Sequence, residues 1–369
     1  MPSTAGRREL RRQRPDRGAR GAVRALEGPS RGAGAPPGRP GGGLGALRHC
    51  VEAQQFGRAA LEELFEVARA MEGVRPQTPA ARALEGYVTA TLFYEPSTRT
   101  RLSFETAMMK LGGGVVSTEN AREYSSVSKG ETLEDTIRTC EGYADAIVLR
   151  HFQAGSAKKA AAVASVPILN AGDGPGQHPT QALLDTYTIQ KELGRIDGIA
   201  IGFVGDLANG RTVRSLALML TEFEDVRMYF VAPEVVKMRD DVKQFLDARG
   251  FEWEEVEDLR EVAATVDVLY QTRIQKERFE DRPDDYERAR GKYVVDQAIL
   301  DIMREDSIVM HPLPRVDEIA EEVDADPRAA YFRQAKNGTY IRMALLKTLI
   351  ENEQNRKGGT KGAGLKLSA

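Results

Sequence analysis

The apolar and polar residues divide the chain into two successive series of strand-like and helix-like segments. In the first series, short apolar or β-branched runs predict strands at Tyr87–Tyr94, Ala146–Leu149 and Val166–Asn170. Apolar residues at helical spacing predict a helix over Ser97–Leu111, which Gly112–Gly114 would end. The first half of the chain therefore predicts an alternation of strands and helices.

A second series of the same kind begins near residue 199, and a last helix is predicted around Tyr340–Glu351. The predicted strands are Ile199–Val204, Val226–Val231, Val266–Tyr270, Tyr293–Val295 and Ser307–Met310, and the predicted helices are Thr212–Leu220 and Val235–Arg249. Such alternation with short loops is typical of parallel sheets covered by helices on both faces. The fold class that we predict is α/β, with two doubly wound parallel-sheet domains joined near residues 184–198.

The N-terminal segment differs in composition from the rest of the chain. Residues 1–50 contain eleven arginines, no lysine, three acidic residues and eleven of the 35 glycines. Because so few apolar side chains cannot offset the entropy of ordering, we expect residues 1–45 to be a disordered extension and residues 355–369 to be a flexible tail. An Arg-rich, acid-poor extension is typical of an organelle transit peptide, but hydroxyl residues are scarce. A targeting segment, a solvated tail and a wrongly chosen start codon therefore all remain open.

Composition argues against several other classes of protein. No run of 18 or more apolar residues is present, so we predict no membrane-spanning helix. The two cysteines, Cys50 and Cys140, and the four histidines show no zinc-site or disulfide spacing, so we predict no metal and no cofactor. No aromatic residue lies among the N-terminal arginines, which argues against a nucleic-acid-binding arm.

Two segments that follow predicted strands carry the most specific candidate chemistry. Ser97–Arg101 opens a helix, so the free N–H groups of its first turn, three hydroxyls and a guanidinium predict a phosphate-binding site. His178 and Gln181 are three residues apart, so on a helix they share one face and could bind a carbamoyl-type group. The alternatives are an ordinary capped helix and a structural histidine.

Three further segments are weaker signals when each is taken alone. Arg211 at a predicted helix start can pair with a carboxylate, and Arg273 and Gln275 point the same way from an extended chain. The prolines of His311–Arg315 make a stiff loop that presents its carbonyls at fixed places. Surface arginines and ordinary turns are the alternatives. The five segments offer cationic and amide donors without a nucleophile–base pair, which favours polyanionic substrates and catalysis by positioning and charge stabilisation.

These motifs resemble those of the aspartate/ornithine carbamoyltransferase family. Phe93–Glu105 resembles the family's carbamoyl phosphate signature, and the similarity extends over about residues 45–352. His178–Gln181 and His311–Arg315 resemble the aspartate branch, because the ornithine branch usually has a cysteine after the first His-Pro and His-Cys-Leu-Pro in the second motif. The resemblance implies transfer of a carbamoyl group from carbamoyl phosphate to L-aspartate, the committed step of de novo pyrimidine biosynthesis. A carbamoyltransferase for another amine and a non-catalytic paralogue are the alternatives.

The resemblance also implies domain limits and residue roles. It places the active site in the cleft between a carbamoyl phosphate-binding domain at 46–184, against which a C-terminal helix at 338–352 packs, and an aspartate-binding domain at 185–337. The implied catalytic residues are Arg99, Thr100, Arg150 and His178. The implied carbamoyl phosphate contacts are these four with Ser97, Thr98, Gln181, Leu313 and Pro314. The implied aspartate contacts are Ser125, Lys129, Arg211, Thr212, Arg273 and Gln275.

Assembly, inhibition and location are further implications of the resemblance. Ser125 and Lys129 resemble a loop that the family donates to a neighbouring subunit, which implies a homotrimer with shared active sites. The plant-type members have an Arg-Glu-Phe-Ser-Ser segment and are inhibited by UMP in the active site. Here Tyr124 replaces the Phe. The resemblance implies inhibition by UMP, and the added hydroxyl leaves this inhibition open. We expect a chloroplast location if the source is a plant or an alga, and a cytoplasmic one otherwise.

Overall fold

The chain folds into two parallel β-sheets with helices packed against them. The structure, a computed structural model, describes residues 42–121, 130–274, 279 and 283–359. Within these residues, both sheets are wholly parallel, and apolar residues of the two halves belong to one continuous core that includes Phe93 and Phe203. The predicted α/β class with two doubly wound parallel sheets is confirmed.

The first sheet contains four strands in the order β2-β1-β3-β4. The strands are β1 Val88–Phe93, β2 Gly114–Glu119, β3 Ala146–His151 and β4 Ile168–Asp173. The helices of this part are α1 Arg58–Glu72, α2 Thr98–Lys110, α3 Leu133–Cys140, α4 Ser156–Val163 and α5 Pro179–Leu193. All six residues of β3 and of β4 are buried, as expected of strands covered by helices on both faces.

The second sheet contains five strands in the order β7-β6-β5-β8-β9. The strands are β5 Ala200–Val204, β6 Arg227–Val231, β7 Trp253–Val256, β8 Val268–Gln271 and β9 Ile308–Met310. The helices are α6 Arg211–Leu220, α7 Asp240–Ala248, α8 Leu259–Ala263, α9 Pro283–Ala289, α10 Gln297–Leu300 and the long α11 Tyr331–Gly359. In each sheet the first strand of the series, β1 or β5, lies inside the sheet and pairs on both sides. The following strands are added first on one side of it and then on the other, as in doubly wound folds.

Helix α5 is the element around which the two parts pack. Pro179 occupies its first turn, where a missing N–H costs nothing, and Gly194 ends it with a φ of 73°. Ten of its residues are buried, so nearly every face of the helix is covered. It packs against α6 on one side and α11 on the other. Because α5 runs unbroken past residue 184, the predicted domain limit at 184/185 would fall inside a helix.

Helix α11 returns from the second sheet to pack on the first part of the chain. Its Arg342 lies over the ring of Phe104 in α2, with 5.0 Å from the guanidinium carbon to the ring centre. Farther along, Asn352 donates to the carbonyls of Leu44 and Leu47 at 3.0 and 2.9 Å. The two ends of the described chain therefore lie side by side.

The largest errors in the predicted elements concern three segments. Val235–Arg249 is a 3-10 turn followed by α7, because the carbonyl of Val236 already accepts from the backbone of Leu207 and Ala208 and two aspartates favour a start at Asp240. Tyr293–Val295 is not a strand, because Val295 makes only an isolated bridge with Ile319. The last helix is longer than predicted and ends at Gly359 rather than Glu351.

The predicted terminal segments lie largely outside the described residues. Leu44 is nevertheless buried, and its N–H donates to Glu63 at 2.8 Å, so the folded body begins before residue 46. Helix α11 continues through residues 355–359, the first part of the predicted tail. Over the described ranges, no helix is both long enough and apolar enough to cross a membrane.

Candidate functional site

A cavity of about 780 Å³ lies where the strands of both sheets end. The first sheet contributes the segments that follow β1 and β4 and the last residues of β3. The second sheet contributes the turns after β5, β8 and β9. Because ligands of open α/β sheets bind beyond the carboxyl ends of parallel strands, this cavity is the candidate site.

The N-terminus of α2 forms one wall of the cavity. Ser97 is its N-cap residue with extended φ and ψ, but its hydroxyl does not cap the helix and instead donates to Thr100 Oγ1 at 3.0 Å. The first-turn N–H groups therefore lack a side-chain cap and carry the positive end of the helix dipole. Arg99 is exposed on the same wall, and partial burial lowers its pKa. This wall has the donors that a phosphate group requires.

Two arginines meet at a single carboxylate behind that wall. Arg150 at the end of β3 donates to Glu95 at 2.9 Å and to the carbonyl of Ala171 at 3.1 Å. Arg211 at the start of α6 reaches the same Glu95 oxygen at 3.5 Å and donates to the carbonyl of Gly174 at 2.7 Å. Two fixed bonds on each guanidinium hold both groups in place before any substrate arrives.

A glycine makes the close approach of these arginines possible. Gly172 has a φ of 117°, which side-chain-bearing residues rarely adopt. A Cβ at this position would lie 3.1 Å from Arg150 Nη1 and 3.3 Å from the guanidinium carbon of Arg211. The backbone therefore leaves room here for two cations at van der Waals distance.

The electrostatics of the cavity favour anions. Burial is the largest cause, and the neighbouring Arg211 the next, of a pKa of about 10 for Arg150, while Glu95 opposes the shift. Burial likewise lowers the pKa of Arg342 to about 10, and its Nε has no hydrogen-bond partner in the part of the chain that the structure describes. Crowded, partly desolvated guanidinium groups gain stability when an anion binds between them.

His178 begins α5 and is almost fully buried beside these cations. Burial, then Arg211, Arg150 and Arg342, lower its pKa well below the usual value. The ring is therefore neutral at physiological pH, with one nitrogen that donates and one that accepts. A neutral imidazole can donate to a carbonyl oxygen without adding a further charge to an already cationic cavity.

The loop after β9 presents its backbone to the cavity in a braced conformation. The N–H of Leu313 donates to His311 Nδ1 at 2.7 Å, and His311 Nε2 bonds to Glu318 at 2.7 Å. Since Nδ1 accepts a hydrogen bond from the backbone N–H of Leu313, Nε2 carries the hydrogen that it donates to Glu318. The peptide bond Leu313–Pro314 is cis. The two hydrogen bonds of His311 brace this loop and hold its carbonyls at fixed places.

Twelve of the fifteen residues predicted for the site line this one cavity: Ser97, Thr98, Arg99, Thr100, Arg150, His178, Gln181, Arg211, Thr212, Arg273, Leu313 and Pro314. They come from segments up to 217 residues apart in sequence (Ser97 to Pro314). The other three, Ser125, Lys129 and Gln275, lie outside the described residues. The geometry thus brings together every predicted site residue that can be placed.

Several polar residues in and around the cavity were not predicted, and four of them bear on its geometry. Glu95, Gln334 and Arg342 line it, and Asp185 lies directly behind Gln181. Glu95 had a signal in the sequence, since it lies two residues before the N-cap Ser97 of the segment predicted to bind phosphate. The other three had none in the local pattern, because only the tertiary packing of α5 against α11 brings them to the site.

Comparison with known families gives the same assignment along nearly the whole body of the chain. Residues 48–191 match the aspartate/ornithine carbamoyltransferase carbamoyl-P binding domain, and residues 197–349 match the Asp/Orn binding domain of the same family. The chain belongs to the aspartate/ornithine carbamoyltransferase family. The membership predicted from the motifs is therefore confirmed.

Several relatives of this chain are named as aspartate enzymes. Aspartate carbamoyltransferase 1, chloroplastic, of Pisum sativum is 65% identical over 304 residues, which are 82% of this chain and 79% of the relative. The aspartate carbamoyltransferase catalytic subunit of Methanocaldococcus jannaschii is 50% identical over 84% of this chain and 99% of its own length. The structure of the Trypanosoma cruzi aspartate transcarbamoylase with carbamoyl phosphate and aspartate superposes with a TM-score of 0.78, at 43% identity over 84% of this chain and 99% of that one.

Proposed function

We propose that this chain is an enzyme that transfers the carbamoyl group of carbamoyl phosphate to L-aspartate, which yields N-carbamoyl-L-aspartate and phosphate in the pyrimidine pathway. One observation carries the proposal above the others. A single cavity contains a helix N-terminus suited to a phosphate, donors and acceptors suited to a carbamoyl group, and further arginines suited to carboxylates. The 65% identity to a plant aspartate carbamoyltransferase supports the same conclusion.

Carbamoyl phosphate occupies the side of the cavity formed by the first sheet. Its phosphate binds the first turn of α2 through Ser97, Thr98, Arg99 and Thr100, because free helix N–H groups and a guanidinium complement a dianion. Its carbonyl oxygen accepts from Arg150, His178 and Thr100. Its NH₂ group donates to Gln181 and to the carbonyls of Leu313 and Pro314.

The chemical step relies on positioning and on stabilisation of charge. The neutral amine of aspartate attacks the carbonyl carbon, so a C–N bond forms and an oxyanion develops. Arg150, His178 and Thr100 donate to that oxyanion from positions that are already fixed in the folded chain. The C–O bond to phosphate then breaks, and the departing phosphate takes the amine proton. No protein base is required in this sequence of steps.

Aspartate binds on the side of the cavity formed by the second sheet. Arg211, Thr212 and Arg273 complement its two carboxylates, and the resemblance adds Gln275, Ser125 and Lys129 to this set. We assign carbamoyl phosphate to the part of the chain that carries the first sheet and aspartate to the part that carries the second. An ornithine side chain would place a cation next to two arginines.

Acceptor choice tests this proposal directly. Purified chain is assayed with carbamoyl phosphate and either L-aspartate or L-ornithine, with and without UMP. We expect turnover with aspartate and none with ornithine. Comparable kcat/KM values for the two amines would refute the assignment of the carboxylate site. The UMP arm shows separately whether an enzyme with Tyr124 retains inhibition in the active site.

We propose further that the chain assembles as a homotrimer whose sites are shared between subunits. Ser125 and Lys129 would then complete the site of the neighbouring subunit. Lys129→Ala and Arg99→Ala proteins should both be nearly inactive alone, and refolded mixtures should regain activity. For random equal mixing, about one interface in four carries both intact residues if the sites act independently. Trimers of the expected mass without recovered turnover would contradict sharing.

The N-terminal residues are proposed to direct the chain to a plastid. The plant relatives from Pisum sativum, Oryza sativa and Arabidopsis thaliana are named as chloroplastic enzymes. The Arg-rich, acid-poor composition of residues 1–50 agrees with that role. A fluorescent reporter fused to residues 1–50 should enter chloroplasts of plant cells, whereas a reporter fused to residues 46–95 should not. Retention of both reporters in the cytosol would refute the targeting role.

A further inference from the structure

A fully buried carboxylate lies directly behind the carbamoyl side of the cavity. Asp185, in the second turn of α5, has no exposed surface. Its Oδ1 accepts from Gln181 at 2.8 Å and from Gln334 at 2.6 Å, and its Oδ2 accepts from the Tyr270 hydroxyl at 2.7 Å. Each bond comes from a different part of the fold: α5 itself, α11 and β8.

The directions of these bonds follow from the donors alone. The backbone N–H of His311 can only donate, and it donates to Gln334 Oε1 at 2.9 Å. The amide nitrogen of Gln334 must therefore face Asp185. Burial raises the pKa of Asp185 to about 7, and its three donors oppose that shift. Oδ1 accepts two amide hydrogens in either protonation state, because an added proton can reside on Oδ2.

The same geometry fixes the orientation of Gln181. Since Gln181 Nε2 donates to Asp185, its Oε1 is left on the other side of the amide, and Gln181 lines the cavity. That oxygen can accept from an NH₂ group of a ligand. Without the carboxylate, the amide could rotate and present its own NH₂ to the ligand's NH₂, which would give a donor facing a donor.

Asp185 also reaches two other parts of the site through one intermediate residue each. Gln334 connects it to the backbone of His311, which opens the loop that carries Leu313 and Pro314. Tyr270 brings it next to Thr212, whose side chain lies near the tyrosine hydroxyl and opposes the rise of its pKa. Among the residues that the structure describes, no other acid bonds to Gln181, Gln334 and Tyr270.

We propose that Asp185 is a positioning residue that sets Gln181 as an acceptor for the carbamoyl NH₂ and ties that amide to the loop after β9 and to the aspartate side of the cavity. The inference rests on the proposed function and deepens it. Asp185 touches no substrate in this proposal, but it fixes the orientation of Gln181, which does. A buried polar network whose members are all satisfied holds its geometry rigidly.

The alternative is that Asp185 only stabilises the fold, and a set of variants separates the two. Asp185→Asn keeps an Oδ1 for both amides and offers an N–H to the Tyr270 hydroxyl, so turnover should stay within about threefold of wild type. Asp185→Leu removes every acceptor, and loss of the amide's orientation should lower kcat/KM for carbamoyl phosphate about 100-fold. Asp267→Asn is the matched control, since Asp267 is a buried acid that bonds Arg195 and the backbone of Ala200 away from the cavity. It should lower the melting temperature and leave both KM values unchanged.

A double-mutant cycle provides the decisive measurement. If Asp185 acts through Gln181, the loss in Asp185→Leu/Gln181→Ala should be much smaller than the product of the two single losses. A double loss equal to that product would overturn the proposal, as would an Asp185→Leu enzyme with wild-type kinetics. A wild-type enzyme that does not transfer the carbamoyl group to L-aspartate would instead contradict the proposed function itself.

Two milder variants keep the test decisive if Asp185→Leu does not fold. Gln334→Leu breaks the connection to the loop and should raise the KM for carbamoyl phosphate. Tyr270→Phe removes only the hydroxyl and should raise the KM for aspartate, because the bond from this hydroxyl beside Thr212 to Asp185 is lost. The expected changes are about tenfold, the effect of one lost buried hydrogen bond. If both variants keep both KM values within twofold of wild type, the proposal is wrong.

Discussion

Arg150 offers the sharpest test of how the cavity works. Replacement by Lys keeps a positive charge, whereas replacement by Gln removes it. In the wild type the guanidinium uses two nitrogens to bond Glu95 at 2.9 Å and the Ala171 carbonyl at 3.1 Å. A lysine carries its three donors on one compact nitrogen at the end of a flexible chain, so it does not reproduce the planar fork that holds both partners and faces a developing oxyanion. We therefore expect Arg150→Lys to be almost as inactive as Arg150→Gln.

The size of the effect follows from the number of donors that are lost. One preorganised donor to an oxyanion is worth about 2.7–4 kcal/mol, or about 10²–10³ in kcat. The effect on stability should be small by comparison. Burial has already lowered the pKa of Arg150 to about 10, which shows that the buried charge is costly to maintain. In Arg150→Gln, loss of the buried charge offsets the loss of two hydrogen bonds, each worth about 1 kcal/mol net.

The assay is the initial rate at saturating carbamoyl phosphate and aspartate, with thermal unfolding measured on the same samples. Arg195→Lys is the matched control, because Arg195 is a half-exposed arginine that pairs with Asp267 at 2.9 Å and does not line the cavity. It should keep wild-type kcat. An Arg150→Lys enzyme with more than a tenth of wild-type kcat would refute the argument from fixed donor geometry.

Three further predictions concern other groups of the site and the fold. Arg99→Ala should lose about 10²–10³ in kcat while its circular dichroism spectrum stays unchanged, because its exposed side chain stabilises the leaving phosphate rather than the fold. Glu95→Gln should lose about 10- to 100-fold in kcat/KM for aspartate, since one charged acceptor no longer restrains both Arg150 and Arg211; unchanged kinetics would contradict this role. The free energy of unfolding, measured with urea, should fall as the pH is lowered from about 7 to 5. The folded state lowers the pKa of all four histidines, so these histidines are protonated at higher pH in the unfolded chain than in the folded one. The raised pKa of Asp185 acts in the opposite direction, so Asp185→Asn should make the fall steeper.

The sequence was sufficient for elements whose apolar pattern is local. Strand β1 and helix α2 lie within one residue of their predicted limits, because a buried apolar run and a glycine stop are both visible in the residues themselves. Strand β2 was not predicted, since Gly114–Glu119 is an edge strand with mostly partly exposed residues and no strict alternation. Helix α7 started later than predicted because a loop far away in sequence already uses the Val236 carbonyl.

The same distinction between local and tertiary signals explains which site residues were found. Arg99, His178 and Arg211 occupy strand-to-helix turns, where topology alone predicts ligand contacts. Asp185 reads as one polar residue on an apolar helix, and Gln334 as a surface glutamine near a helix start. Only the packing of α11 against α5 places them 2.6 Å apart, and no local pattern encodes that contact.

The return of α11 to the first sheet has a consequence for how the chain folds during synthesis. Contacts such as Arg48 with Glu353, 305 residues away, cannot form until almost the entire chain has left the ribosome. Until then, the apolar faces of α1, α2 and α5 that α11 covers are exposed to water. A nascent chain that ends at residue 330 is therefore an aggregation-prone intermediate even though both sheets have been translated. The first sheet is made early, and its covering layer is completed last.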